Sequence, residues 1–448
     1  MPSDKSLVTA LQTLWDIPLP GPENLWSSHE FVALKKLLTE RYHGGKSIFG
    51  LETSIGNALR ALGLPCINLH LLNQPKPDMD KVAAALTHEF ERTITRRRYL
   101  CPLDMADEVP SFRFGNTQIG RFSAAELEVL FDAPRLERCY PGIRLDSQSL
   151  SLFNWMVVEE DISVRDESGN RQFSWLDFPF GKDQGEIVPH RGRFPAVVER
   201  ALFFLLLAPW EEWAEMTEVD WRCFRLPWIY TVDDDLCAFP SSPPLPERLS
   251  WEPYFRQVDH DEWEESEHPI SLRTWATAED MQRTLGAKWT QLEAARIQAS
   301  ELFSTPVEHF LVRAFLSEGI DEVMAHLIMI EAAFGAEADH KRRLRRTGDN
   351  HDQSATRRVA ARLSAAIDDP GAAKDYLDLY DMRCTYVHGR PEDRVISTQQ
   401  RVLARRLARE AANALVGLAQ SLESRETVLL DLLNRGVENL PPKSGACS

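Results

Sequence analysis

The sequence predicts an α+β domain over residues 1–290, an all-α helical bundle over residues 291–436 and a disordered tail over residues 437–448. Three observations carry that division. At 448 residues the chain exceeds the usual size of one domain. Short apolar runs bounded by turn residues crowd residues 98–240, whereas from Thr277 onward apolar residues recur at helical spacing almost without a break. Charge divides in a similar way. The formal net charge is −17, yet residues 305–425 hold 18 acidic and 18 basic residues, so the excess belongs to the rest of the chain. An acidic balance argues against a generic nucleic-acid binder, and its uneven placement points to two parts with different work.

Residues 4–43 show an amphipathic helical pattern interrupted by Pro18-Leu-Pro-Gly-Pro22. Gly44-Gly-Lys-Ser47 has the form of the end of a phosphate-binding loop, but position 40 is Glu where a glycine is needed and no apolar strand precedes it. A helix is expected over 78–97, with Arg96, Arg97 and Arg98 complementing the dipole at its end. Strands are expected at Tyr99–Leu103, Ser111–Gly115, Leu150–Val158, Ala201–Leu207 and Cys223–Val232. Ser123 and Glu126 form a capping box that opens a short helix through Phe131. Asp233-Asp-Asp235 reads as a solvated loop, because consecutive carboxylates on an extended segment face alternate sides and do not converge on one metal ion. The breaker-rich Pro240–Glu247 and the acidic, exposed 259–268 mark the border.

Helices are then expected from Thr277 to about Leu302, over Pro306–Phe334 with a break near Gly319, and over Ser354–Ile367. Two more follow, over Ala372–His388 and over Thr398–Leu422 with a continuation to Leu433. The seven cysteines are scattered with no C-x-x-C pair, which suits reduced thiols in a cytoplasm. The N-terminus lacks a secretory signal and no apolar run reaches about 18 residues, so no membrane partner is expected. No His/Cys/Asp cluster has ligand spacing, so neither metal nor cofactor is expected.

The stretch that points to chemistry is Tyr380-Asp-Met-Arg-Cys-Thr-Tyr-Val-His-Gly-Arg390. Tyr376, Leu379, Tyr380, Arg383 and Val387 share a helical stripe, Gly389 stops the helix and Pro391 prevents its resumption. Arg383 therefore lies on an inward face, and His388 ends the helix. A guanidinium cannot shed its charge, so there it needs a carboxylate, a phosphate or a partner chain. Histidine is the side chain most easily tuned to move protons near neutral pH. Together they are minimal equipment for cutting a phosphodiester; alternatively they are a structural arginine and a helix-capping histidine.

Leu327-Ile-Met-Ile-Glu-Ala-Ala-Phe-Gly335, the basic linker after it, and Tyr380–Arg383 with Tyr386–Gly389 resemble the Apea-like branch of the HEPN superfamily (higher eukaryotes and prokaryotes nucleotide-binding). Arg383 and His388 match the shortest form of that family's R-x(4–6)-H motif, and the resemblance covers about residues 300–430. It implies a HEPN-like four-to-five-helix bundle, dimeric, with two motifs facing each other, acting as a metal-independent endoribonuclease in a bacterial toxin or antiviral system. The alternative it implies is a non-catalytic module that binds a nucleotide or protein, with the N-terminal domain as sensor of a ligand or protein partner. Five residues span about 140° around a helix, so one chain holds Arg383 and His388 awkwardly for a single phosphate. Two antiparallel copies would pool both pairs in one cleft.

Around this motif, Glu331 is expected to orient Arg383 or to take part in the chemistry. Cys384, Tyr386 and Gly389 are supporting residues; Cys384 stands where catalytic relatives carry Asn, Asp or His. Lys341, Arg342, Arg343, Arg345 and Arg346, joined by Arg357, Arg358 and Arg362, either grip an RNA backbone or form a solvated linker paired with the acidic N-terminal part. Arg401, Arg405, Arg406 and Arg409 form a second basic stripe, with Arg405 and Arg409 on one face.

Overall fold

Ser28 accepts a hydrogen bond on its Oγ from the Phe31 N–H at 3.1 Å and so starts the helix His29–His43, which Gly44 ends in the left-handed region at φ +57°. This helix buries Phe31, Leu34 and Leu38 against Lys5–Trp15, Leu51–Ala61 and Met79–Glu91, where Leu7, Leu11, Ile55 and Phe90 complete one apolar cluster. The computed structural model describes residues 5–17, 25–45, 50–67, 71, 75–167, 169–173, 192–259, 262–297, 301–303, 305–345, 350–387, 395–419 and 423–442. By contact the chain divides into two compact units. One comprises residues 1–102, 115–186 and 227–251, and the other 103–114, 187–226 and 252–448. The division falls elsewhere than the expected border at residue 290, because 187–226 packs into the helical unit.

The first unit is α+β. Its strands Thr117–Arg121, Asn154–Ser163, Ile94–Leu103 and Tyr230–Asp233 lie side by side in that order. The outer pairs run antiparallel, with Arg97 opposite Asp233 and Ile119 opposite Met156. One face packs Leu100, Trp155 and Tyr230 on Phe131 and Leu136, the latter carried by the short helices Ala124–Leu130 and Ala133–Cys139. The expected capping box at Ser123 and Glu126 is present.

Several sequence expectations in this region are corrected. The helix expected over 78–97 stops at Glu91, and Arg96, Arg97 and Arg98 lie on the strand Ile94–Leu103. The reason is cross-strand: Thr95 Oγ1 donates to Asp233 at 2.5 Å and to Asp234 at 2.6 Å, and Arg97 pairs with Asp233 at 3.0 Å. The triple aspartate is accordingly no solvated loop. Arg92 holds Asp234 at 2.8 Å, and a buried Arg171 pairs with Asp235. Leu150 belongs to the short helix Ser147–Leu150, so the following strand begins at Asn154. The strand expected over 223–232 forms only from residue 230, as Tyr230–Asp233. Of the acidic segment, residues 259 and 262–268 lie in a ribbon of two strands, Trp251–Asp259 and Glu262–Pro269, and residues 260 and 261 lie outside the described residues.

The second unit is chiefly helical, and the ribbon strands over 252–259 and 262–269 belong to it as well. Ala201–Leu207, expected as a strand, lies largely in the helix Ala196–Leu205; a continuous apolar run has no period that separates the two forms. The long helix Ile320–Phe334 packs against Val307–Leu316, Ala355–Ile367, Gly371–Val387 and Thr398–Leu418, and Arg425–Gly436 closes on Ala355–Ile367. Among the described residues of 301–436 there is no strand, and among those of the whole chain no helix is long and apolar enough to cross a membrane. The first half of the expected disordered tail is ordered. Val437–Asn439 forms a 3-10 turn, Asn439 bonds Ser364 at 3.2 Å and Arg357 donates to the Pro441 carbonyl at 2.7 Å. Residues 443–448 lie outside the described residues.

Arginines cross-link this unit from inside. Arg358 and Arg362, expected either to grip RNA or to belong to a solvated linker, are buried on Asp339, with Arg358 Nε at 2.6 Å and Arg362 Nη2 at 3.1 Å. Arg362 also donates to the carbonyls of Phe334 and Leu429, tying three helices together. Burial pushes the Asp339 carboxyl up, but the hydrogen bond and charge of Arg362, the Ala336 N–H and Arg358 outweigh it, so the carboxyl titrates below the ordinary aspartate value. A lowered folded value gives stability that is present above the ordinary aspartate value and is lost as pH falls through the folded one. Asp339→Ala is expected to cost about 3–5 kcal/mol at neutral pH in urea denaturation, because it strands two buried cations. A loss under about 1 kcal/mol, the range of an exposed pair, would contradict this account.

Candidate functional site

The helix Gly371–Val387 turns Ala372, Ala373, Tyr376, Leu379, Met382 and Thr385 inward at three-to-four-residue spacing. Arg383 sits at the edge of that buried stripe, on the last full turn. Its Nη1 donates to Glu331 Oε1 at 2.9 Å across to the Ile320–Phe334 helix. The two side chains keep 25% and 32% of their exposure, so the pair is half-buried and solvent still reaches it. Tyr380, one turn back, lies under the guanidinium with its ring centroid 5.3 Å from Cζ.

Burial pushes the Glu331 carboxyl above its ordinary value, and the charges of Arg383 and His340 with the Arg383 hydrogen bond only partly offset this. Tyr376 lies beneath, its hydroxyl buried with no hydrogen-bond partner among the described residues. Burial and the Glu331 charge push that hydroxyl well up, so it stays a neutral donor. Cys384 and Tyr386 are partly exposed on the same turn. Together these groups make a fixed, partly solvated cation with a carboxylate on one side and an aromatic face on the other, suited to holding a phosphate oxygen with the remaining N–H groups. His388 and Gly389 lie outside the described residues.

The structure separates the other basic residues by role. Lys341 pairs with Glu337 one turn earlier, and Arg343 is exposed. Arg345 donates to the carbonyls of Ala338 at 2.9 Å and Asp339 at 2.6 Å and to that of His351 at 3.1 Å, so its guanidinium fastens the linker rather than facing solvent. Arg346 and the Arg342 side chain lie outside the described residues. In the second stripe, Arg405 is fully buried, with Nε on Glu211 at 3.2 Å and Cζ 4.7 Å from the Trp221 ring centroid. Arg409 bonds the other Glu211 oxygen at 2.6 Å, and Arg401 reaches the buried Glu322 at 3.2 Å. Of the residues singled out from sequence, Arg383 and Glu331 are brought together. Tyr380 and Tyr376 were missed as site residues, although their places three and seven residues before Arg383 were the signal that put them on its stripe.

No protein-family model, no curated protein and no solved structure matches this chain. Removing Arg383 takes away the largest charge opposing the burial of Glu331. The Arg383→Ala variant is therefore expected to raise the Glu331 carboxyl further, read by carbon-detected NMR titration, and to lose about 1–2 kcal/mol of stability at neutral pH. A raised carboxyl contributes stability that is present below the ordinary glutamate value and is lost as pH rises through the folded one, so the loss in the variant should grow across that window. An unchanged Glu331 titration in Arg383→Ala would show that the pair is not coupled.

Proposed function

We propose that the helical unit is a HEPN-type, metal-independent endoribonuclease whose site combines Arg383 and His388 from two copies of the chain. The observation that carries this reading is the placement of Arg383: it is held by Glu331 and Tyr380 on the last turn of its helix, partly solvated, five residues before His388. Arg358, Arg362, Arg405 and Arg409, by contrast, are buried on carboxylates.

One histidine takes the ribose 2′-hydroxyl proton as that oxygen attacks phosphorus, and the partner copy's histidine protonates the departing 5′-oxygen. Arg383 stabilises the charge that gathers on the phosphorane oxygens. The products are a 2′,3′-cyclic phosphate and a 5′-hydroxyl. A toxin or antiviral role in a bacterial cytoplasm follows from the family resemblance alone. A second reading, a non-catalytic module that binds a nucleotide or protein, is favoured by the carboxylate of Glu331 already bonded to Arg383 and by the weakly hydrogen-bonding Cys384 beside it.

The test is labelled RNA with purified protein in EDTA. Cleavage is expected to persist, to leave 2′,3′-cyclic phosphate ends and to spare substrates that are 2′-deoxy at the scissile position. His388→Ala is expected to lower the rate by about 10²–10⁴ while the fold is kept. Diverse RNAs left intact by the wild-type protein would overturn the enzyme reading, and nucleotide binding lost on Arg383→Ala would then establish the binding module.

A further inference from the structure

The α+β unit carries an open groove between its two short helices, Ala124–Leu130 and Ala133–Cys139, and the loop after them. Its volume is about 1040 Å³, the size of the largest small-molecule sites. Val129, on the first helix, and Ile143, in the loop, line it and are 72% and 41% exposed, and Leu136 forms the buried floor. Glu128, Asp132 and Glu137 stand around these residues, while the lining carries one cation, Arg144.

We propose that this groove docks a peptide segment in which apolar side chains alternate with lysine or arginine. The apolar lining has area to bury, and three carboxylates against one cation favour a basic occupant. Charge complementarity of this kind sets both the choice of partner and the rate of encounter. The carboxylates equally repel a phosphate backbone, so the site takes protein and rejects nucleic acid. Ser147 Oγ holds Glu128 at 2.9 Å, which fixes that carboxylate before a partner arrives. The inference does not depend on the ribonuclease reading, because it concerns different residues in the other unit.

The experiment is fluorescence anisotropy of a labelled synthetic peptide of alternating leucine and lysine against the full chain, with an alternating leucine and glutamate peptide and a polylysine of equal length as controls. The leucine–lysine peptide is expected to bind, and the leucine–glutamate peptide is not. Val129→Ser removes an exposed contact without opening a core and is expected to weaken binding about tenfold. Glu137→Lys is expected to weaken it similarly and to flatten its salt dependence. Polylysine should bind more weakly and ignore Val129→Ser. Binding of the leucine–lysine peptide that neither variant changes, equal binding of the acidic peptide, or no binding of the leucine–lysine peptide would each overturn the proposal.

Discussion

Two fully buried carboxylates, Glu211 and Glu322, organise the helical unit. Trp221 Nε1 donates to Glu322 at 2.6 Å, and Arg222 and Arg401 reach its other oxygen at 3.1 and 3.2 Å. Glu211 is shared by Arg405 and Arg409. These cations do a second task, capping helix ends: Arg222 donates to the Phe315 carbonyl at 2.8 Å where the helix Val307–Leu316 stops, and Arg405 to the Leu206 carbonyl at 2.7 Å after Ala196–Leu205. Cations at helix C-termini meet both the open carbonyls and the dipole. Charges buried this deeply are tolerated only with several partners each, so the network fixes which segments adjoin. It explains why residues 187–226, distant in sequence from the bundle, belong to its unit.

His326 lies within this network, fully buried against Trp221 with both ring nitrogens lacking hydrogen-bond partners among the described residues. Burial and then the charges of Arg405, Arg222 and Arg401 hold it well below the ordinary histidine value, so it is neutral in the folded chain. Arg405 itself is drawn down to about 10, chiefly by burial, with Glu211 resisting and Arg409 adding to the fall. The same chemistry that makes arginine a phosphate ligand is turned inward here. Against the buried Arg222 and Arg405, Arg383 differs in having one carboxylate, one aromatic neighbour and a quarter of its side chain exposed, an exposure it shares with Arg401.

Much of the helical unit was legible in the sequence, because its helices carry strong local signals. Ser354 and Ser397 cap their helices, Gly319 breaks the 307–334 run, and the inward stripe of Gly371–Val387 has helical period. The Arg383–Glu331 pair followed from one rule, that an inward guanidinium needs a carboxylate. What could not be read depends on partners far apart in sequence. Arg358 and Arg362 look like a basic surface until Asp339 is seen beside them, and Arg405 and Arg409 until Glu211 is. Arg97 looked like a helix end until its strand partner Asp233 was in place. An uninterrupted apolar run such as 201–207 carries no period at all.

Buried arginines on shared carboxylates cross-link the helical unit, whereas the Arg383 guanidinium stays partly solvated on Glu331. A double-mutant cycle on Glu211→Gln and Arg405→Met tests this cross-linking most directly, with stability measured by denaturant unfolding. A coupling energy of about 2–3 kcal/mol is expected, the upper range for contacting pairs. A coupling near zero would contradict it, because Arg405 would then owe its burial to nothing that Glu211 supplies.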